Sequence, residues 1–168
     1  MMLNPFNHTL ARSLILSAAL LVGSLGLAAA TTPNHSAIFN ANCSMCHQLG
    51  AAGLPGEFPR LAGRAGRIAA TAAGRRYMER VVLFGMMGTI TVDGTPIIGG
   101  VMPSFASLSN QTLAGALNYV ISLDATGKLH WKGPVFTAAD IAHARASKPL
   151  TPMQVHRLRA ATLGKKHS

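Results

Sequence analysis

The segment Cys43-Ser44-Met45-Cys46-His47 decides how the rest of the chain is interpreted. It holds both cysteines of the 168-residue chain, and a histidine follows the second one directly. Two cysteines this close together cannot form the disulfide framework of a small secreted protein. The pair therefore indicates cofactor chemistry rather than covalent stapling of the fold.

A Cys-x-x-Cys pair followed by histidine is the attachment pattern of a c-type haem. Each thiol can add to one vinyl group of a single haem, and the two thioether bonds then tie the ring to the chain. The histidine comes next in the chain, so it is placed to bind the iron as an axial ligand. We predict one covalently bound haem c, with Cys43 and Cys46 as the thioether residues and His47 as the proximal iron ligand.

Two interpretations of the pair without haem remain open. A Cys-x-x-Cys pair can be a redox dithiol, but such pairs usually lie in a βαβ setting, and no strong strand precedes Cys43. It can also be half of a zinc site. However, the chain has no second cysteine pair, and the histidines after residue 47 lack the close spacing of zinc ligands. Haem attachment is therefore the favoured interpretation.

Residues 1–30 have the pattern of a secretory signal peptide. Arg12 supplies the positive charge, residues 14–27 are apolar, and the alanines that end at Ala30 fit a small-residue cleavage site. An uncleaved anchor is the alternative, because residues 14–30 reach the lower length limit for spanning a bilayer. We predict cleavage near Ala30, a periplasmic location and no integral membrane span in the mature protein.

Hydrophobic spacing predicts a mostly helical haem domain over residues 31–125. Helices are expected at residues 35–44, 72–84 and 110–123. Residues 89–98 alternate around the turn pair Asp93-Gly94, which predicts a small hairpin.

Residues 126–168 are predicted to form a basic C-terminal extension. Two capping-box patterns, which begin at Thr137 and Thr151, predict two short helices, and Pro152 occupies the favoured first position of the second. The extension has two interpretations that stay open: it folds back on the haem domain, or it wraps a partner subunit or an acidic surface.

The iron needs a sixth ligand or keeps an open site. Met102 lies in the irregular stretch 99–105, where a loop can bring a thioether to the far face of the haem, and Pro103 stiffens that loop. Met102 is therefore the predicted axial ligand. Met86 and Met87 are the next candidates, but a methionine near the end of a helix is more often core filler.

Residues 38–123 resemble the class I c-type cytochromes of the small monohaem bacterial kind. Phe39 and Tyr119 match the aromatic residues of the two helices that cross near the haem edge in that family. The loop 58–63 resembles the one whose proline carbonyl accepts a hydrogen bond from the proximal histidine, which implies that Pro59 orients the iron ligand. Met102 with Pro103 resembles the family's axial methionine segment.

The resemblance implies an all-α cytochrome c fold, with three to four helices around one covalent haem, a small hairpin and a C-terminal helical extension. Residues 85–98 also resemble a subgroup found as electron-transfer subunits or domains of periplasmic dehydrogenases. With His47 and Met102 both on the iron, no position is left for a substrate. We therefore expect a periplasmic one-electron carrier or cytochrome subunit and not an enzyme. The alternative is a haem c enzyme or sensor in which Met102 is labile or absent.

The net charge of +10 predicts a redox partner with an acidic docking surface, although solubility alone could explain the charge. A dehydrogenase, a terminal oxidase of the respiratory chain, or both are the expected partners. Nucleic acid is not, because an exported haem protein would not meet it. At least one of six arginines is expected to contact a haem propionate: Arg60, Arg64, Arg67, Arg75, Arg76 and Arg80.

Overall fold

Helices make up most of the regular structure in the computed structural model, which describes residues 34–164. The longer helices are α1 (His35–Asn42), α4 (Ala72–Phe84), α5 (Asn110–Ser122), α6 (Ala138–Ala146) and α7 (Pro152–Leu163). The shorter ones are α2 (Ser44–His47), α3 (Ala65–Ala69) and a 3₁₀ turn at Leu49–Ala51. The predicted signal peptide lies outside the described residues. Across residues 34–164, none of the helices has the length and apolar character needed to cross a membrane.

Local capping signals place the starts of the later helices where the sequence predicts them. The Ser109 side chain accepts a hydrogen bond from the backbone N–H of Thr112 at the start of α5. Thr137 and Thr151 each begin a complete capping box, at the starts of α6 and α7. These short-range hydrogen bonds satisfy N–H groups that have no partner within the helix, so the chain sequence alone fixes these boundaries.

Two small antiparallel ribbons show that the fold is not purely α-helical. The predicted hairpin is present as β2 (Ile90–Val92) paired with β3 (Thr95–Ile97). A second ribbon pairs β1 (Met86–Met87) with β4 (Val101–Met102), with Met86 opposite Met102. Two-residue strands carry no readable alternation, which is why the sequence did not predict this ribbon. The all-α prediction is therefore correct for the helices but incomplete.

The core is organised by the crossing of α1 and α5. The rings of Phe39 and Tyr119 meet there, with centroids 4.9 Å apart. A Cβ atom at Gly115 would come within 2.8 Å of the Ile38 Cδ1 atom, so the missing side chain allows the two helices to approach. The apolar stripe of α5 that the sequence predicted is buried; it includes Leu113, Leu117, Val120 and Ile121.

The C-terminal helices pack against the helices that precede them. Helix α6 contacts α4 and α5, and α7 contacts α4 and β1. Ile141 of α6 and Val155 of α7 are completely buried in these contacts. Arg145 of α6 joins the start of α5: its guanidinium donates hydrogen bonds to the Asn110 side chain and to two backbone carbonyls before it. Of the two arrangements considered for the extension, the described residues adopt the folded-back one.

Arg145→Ala tests how much this docking contributes to stability. It removes three hydrogen bonds from a charged donor, and we expect the free energy of unfolding to fall by about 2 kcal/mol. Denaturant unfolding followed by circular dichroism measures the loss. Arg157→Ala, an exposed position on α7, is the control and should change stability by less than about 0.5 kcal/mol. Equal effects of the two substitutions would contradict this role of Arg145.

Candidate haem site

The Cys-x-x-Cys-His segment forms its own short helix directly after α1. Helix α1 ends at Asn42, and the N–H of Cys43 still bonds to the Phe39 carbonyl at 2.8 Å. One further turn, α2, carries Cys46 and His47, and the His47 N–H bonds to the Cys43 carbonyl at 3.0 Å. Both thiols are free and partly exposed. Burial, with a contribution from Cys46, raises the pKa of the Cys43 thiol to about 11, so this thiol is neutral at pH 7.

The imidazole of His47 is buried and oriented. Its Nδ1 atom lies 2.9 Å from the carbonyl oxygen of Pro59, and the residue is only 8% exposed. Burial lowers the pKa of His47, and the Pro59 carbonyl opposes this only in part, so the ring is neutral at pH 7. With Nδ1 donating its proton to that carbonyl, Nε2 keeps the lone pair that an iron atom needs.

The loop that carries Pro59 is held by backbone contacts to the motif. The N–H of Gly53 bonds to the His47 carbonyl at 2.8 Å, and the N–H of Leu61 bonds to the Ala51 carbonyl at 2.9 Å. Gly53 has a φ of +68°, and a Cβ atom there would overlap the backbone nitrogen of Arg60. The loop can pass this closely only because residue 53 has no side chain.

An apolar cavity of about 300 Å³ lies beside the motif. Cys43, Cys46 and His47 line it, and so does Met102. Apolar side chains from α3, α4, α5 and both ribbons form most of its remaining walls; examples are Ile68, Val81, Val82, Ile90, Val92, Leu117 and Val120. Paired thiols, a neutral imidazole and an apolar enclosure fit a macrocycle that is tethered at its edge and bound through its metal.

The structure separates the three methionine candidates. Met102 and Met86 both line the cavity, and they lie on one face of their ribbon because opposed residues of an antiparallel pair point to the same side. Met87 is 44% exposed and does not line the cavity. Met86 is buried, and the Tyr77 hydroxyl donates to its sulfur at 3.8 Å. Met86 and Met102 are thus two of the four methionines that line the cavity; the other two are Met45 of the motif and Met78 of α4.

Arginine side chains form part of the cavity wall. Of the six arginines singled out in the sequence, Arg60 and Arg64 line the cavity. Arg75 is used elsewhere, over the ring of Phe136 and on backbone carbonyls of the extension. Sequence reasoning missed Arg159 of α7, which also lines the cavity and is only 4% exposed.

Arg159 reaches the cavity through long-range packing. Its guanidinium donates to the Thr91 carbonyl at 3.2 Å and also hydrogen-bonds to Tyr77. Thr91 lies 68 residues earlier in the chain, and only the docking of α7 brings the two together. The one signal in the sequence was the basic character of the extension, which does not distinguish Arg159 from its exposed neighbour Arg157.

The helix crossing, the thiol pair beside a buried imidazole and the apolar cavity together define a small class I c-type cytochrome. Residues 30–120 match the family described as cytochrome c oxidase, cbb3-type, subunit III. The chain is 41% identical over 140 residues to a cytochrome c-552 of Thermus thermophilus, covering 83% of this chain and 90% of that one. A second Thermus thermophilus cytochrome c-552 is 41% identical over 115 residues, covering 68% of this chain and 86% of its own.

The chain therefore belongs to this family of c-type cytochromes. It is a haem c protein of electron transfer, as the motif predicted, and its cofactor is covalently attached.

Gly53→Ala tests the loop that carries Pro59. A side chain at this position adds a backbone clash to the strain of a positive φ, and we expect the free energy of unfolding to fall by about 3 kcal/mol. Denaturant unfolding of the haem-loaded protein measures the loss. Gly56→Ala is the matched control, because its φ is +80° but nothing lies within 4 Å of the new Cβ atom. That control should lose only about 1 kcal/mol, and a loss as large as that of Gly53→Ala would contradict the close approach.

Proposed function

We propose that the protein is a periplasmic one-electron carrier whose haem iron is bound by His47 and Met102 and whose haem is tethered through Cys43 and Cys46. One observation carries the proposal: the four side chains line a single apolar cavity although Met102 follows His47 by 55 residues. When bound, the haem supplies reversible one-electron chemistry at its iron. The protein takes one electron from a donor and passes one electron to an acceptor.

The chain's own residues restrict the site to this chemistry. Pro59 holds the His47 ring in one orientation, so Nε2 points away from its hydrogen-bond partner. The apolar side chains that line the cavity exclude water, so the haem lies in surroundings of low polarity. With both axial positions filled by the chain, no position is left for a substrate, and this supports a carrier rather than an enzyme.

The backbone around Met102 supports its choice over Met86. A Cβ atom on Gly85 would lie 2.5 Å from the Met102 carbonyl oxygen, so this segment runs directly against the end of α4. Two residues later, the Ser104 hydroxyl donates to the Leu83 carbonyl at 2.5 Å. These contacts fix the segment on both sides of Pro103. The sulfur of Met86 is already engaged by the Tyr77 hydroxyl, which leaves Met102 as the better ligand.

The cavity arginines supply the expected contact to the haem propionates. Arg64 and Arg159 are buried cations that line the apolar cavity, where a carboxylate of the haem would meet them directly. We assign the propionate contacts to these two guanidinium groups. The extension then has a role in the site, because α7 brings Arg159 to it.

The location and partners are proposed from the sequence. The signal peptide pattern of residues 1–30 supports export, and a covalent tether suits a compartment in which dissociated haem would be lost. The net charge of +10 supports docking to an acidic surface on a dehydrogenase, a terminal oxidase or both, with the protein acting as a free carrier or a bound subunit.

The axial ligand is tested by Met102→Ala. This substitution should abolish the red-absorbing sulfur-to-iron charge-transfer band of the oxidised protein, because no thioether remains on the iron. Met86→Ala removes the thioether that is paired with Met102 in the ribbon, and it should keep the band. The absorption spectra of the two variants measure this. A band that survives Met102→Ala would contradict the assignment, and a high-spin wild-type protein would contradict methionine ligation altogether.

A further inference from the structure

The tip of the β2–β3 hairpin holds a carboxylate between two cavity arginines. Asp93 Oδ2 accepts hydrogen bonds from Arg60 at 2.8 and 3.1 Å, and Asp93 Oδ1 accepts one from Arg64 at 2.6 Å. Asp93 has a φ of +52° and precedes Gly94 at +82°, so a tight turn directs the residue. Both carboxylate oxygens are therefore used, and the three side chains form one charged group, the Arg60–Asp93–Arg64 triad.

The triad is asymmetric in burial and charge. The Arg64 side chain is 10% exposed and lines the cavity, whereas the Asp93 side chain is 43% exposed and lies outside the cavity lining. Arg60 lies between these extremes, at 33%. Two guanidinium groups share one carboxylate, so the triad keeps one net positive charge. The most buried residue of the triad is the cation Arg64. The carboxylate of Asp93, which compensates its charge, does not line the cavity.

A charge held at an apolar wall acts on the cavity with little screening. Coulomb energies rise several-fold when the effective dielectric constant falls from that of water to that of a protein interior. An electron added inside the cavity is stabilised by a nearby guanidinium and destabilised by a nearby carboxylate. Arg64 and Asp93 must therefore act on the electron affinity of the site with opposite signs.

We propose that the Arg60–Asp93–Arg64 triad sets the reduction potential of the protein, with Arg64 raising it and Asp93 lowering it. The inference rests on the proposed function, since it requires a haem in this cavity. It assigns a role to the hairpin that neither the attachment motif nor the axial ligands need. No bond changes and no proton moves; the triad acts through its charge alone.

Equilibrium redox titration of the holoprotein tests the triad. We expect Arg64→Gln to lower the equilibrium constant for one-electron reduction about fivefold, which is ~40 mV at 59 mV per tenfold change. Asp93→Asn keeps a hydrogen-bond acceptor but removes the charge, and it should raise the constant about threefold, which is ~30 mV on the same scale. The double variant should lie between the two single variants.

Matched controls separate the triad from net charge and from damage to the fold. Asp124→Asn and Arg157→Gln make the same charge changes at positions that do not line the cavity, and both should leave the potential within ~10 mV of wild type. Asp93→Glu keeps the negative charge, so its potential should stay near the wild-type value. Where Arg64→Gln does not accumulate, Arg60→Gln makes the same charge change at a more exposed position and should also lower the constant.

Opposite signs are the distinguishing result. Loosening of the cavity alone admits water in both variants and shifts both potentials downward. Shifts of the same sign, or a change below 1.5-fold in either variant, would overturn the proposal. Failure of the proposed function is recognised separately, because the pyridine haemochrome spectrum reports covalent haem and the charge-transfer band reports methionine ligation in every variant.

Discussion

The fixed orientation of the His47 ring is the constraint on which the rest of the site depends. The chain places this residue directly after the cysteine pair, and the Pro59 carbonyl holds its Nδ1 atom at 2.9 Å. That hydrogen bond requires the loop after Ala51, which in turn requires a glycine at position 53. Turning the imidazole would direct its lone pair away from the cavity. One hydrogen bond thus links the geometry of the loop to the orientation of the imidazole.

Charged side chains act on the site in addition to the hydrogen bond to His47. The cavity wall is mostly apolar, yet the buried cations Arg64 and Arg159 lie in it. Burial lowers the pKa of Arg159, and its interaction with Tyr77 opposes this in part. In our proposal the haem propionates bind these two cations, and Asp93 limits the positive charge that remains.

Features that depend on neighbouring residues could be predicted from the sequence. The attachment motif, the bounds of α4 and the caps of α5 to α7 all follow from spacings of a few residues. Short elements after the motif were missed: α3 has only five residues, too few for a helical period to be read. The predicted helix over residues 35–44 ends at Asn42, and a separate turn begins at Ser44.

Contacts between distant segments could not be predicted. The pairing of Met86 with Met102 joins residues at the two ends of the hairpin region, and it brings Met86 to the cavity beside the methionine that the sequence favoured. Arg159 reaches the cavity only because α7 docks, and Asp93 was predicted as a turn residue although it also binds two arginines. In each case, tertiary packing gives a residue contacts that its local sequence pattern does not indicate.

Covalent attachment of one haem to both cysteines of the motif underlies every property described above. The most direct measurement is the pyridine haemochrome spectrum of the purified holoprotein, combined with the mass of the denatured chain. Our account predicts one haem per chain that acid-acetone does not extract, with the spectrum of a haem whose two vinyl groups are both saturated. Extractable haem, or a spectrum that retains one vinyl group, would contradict it.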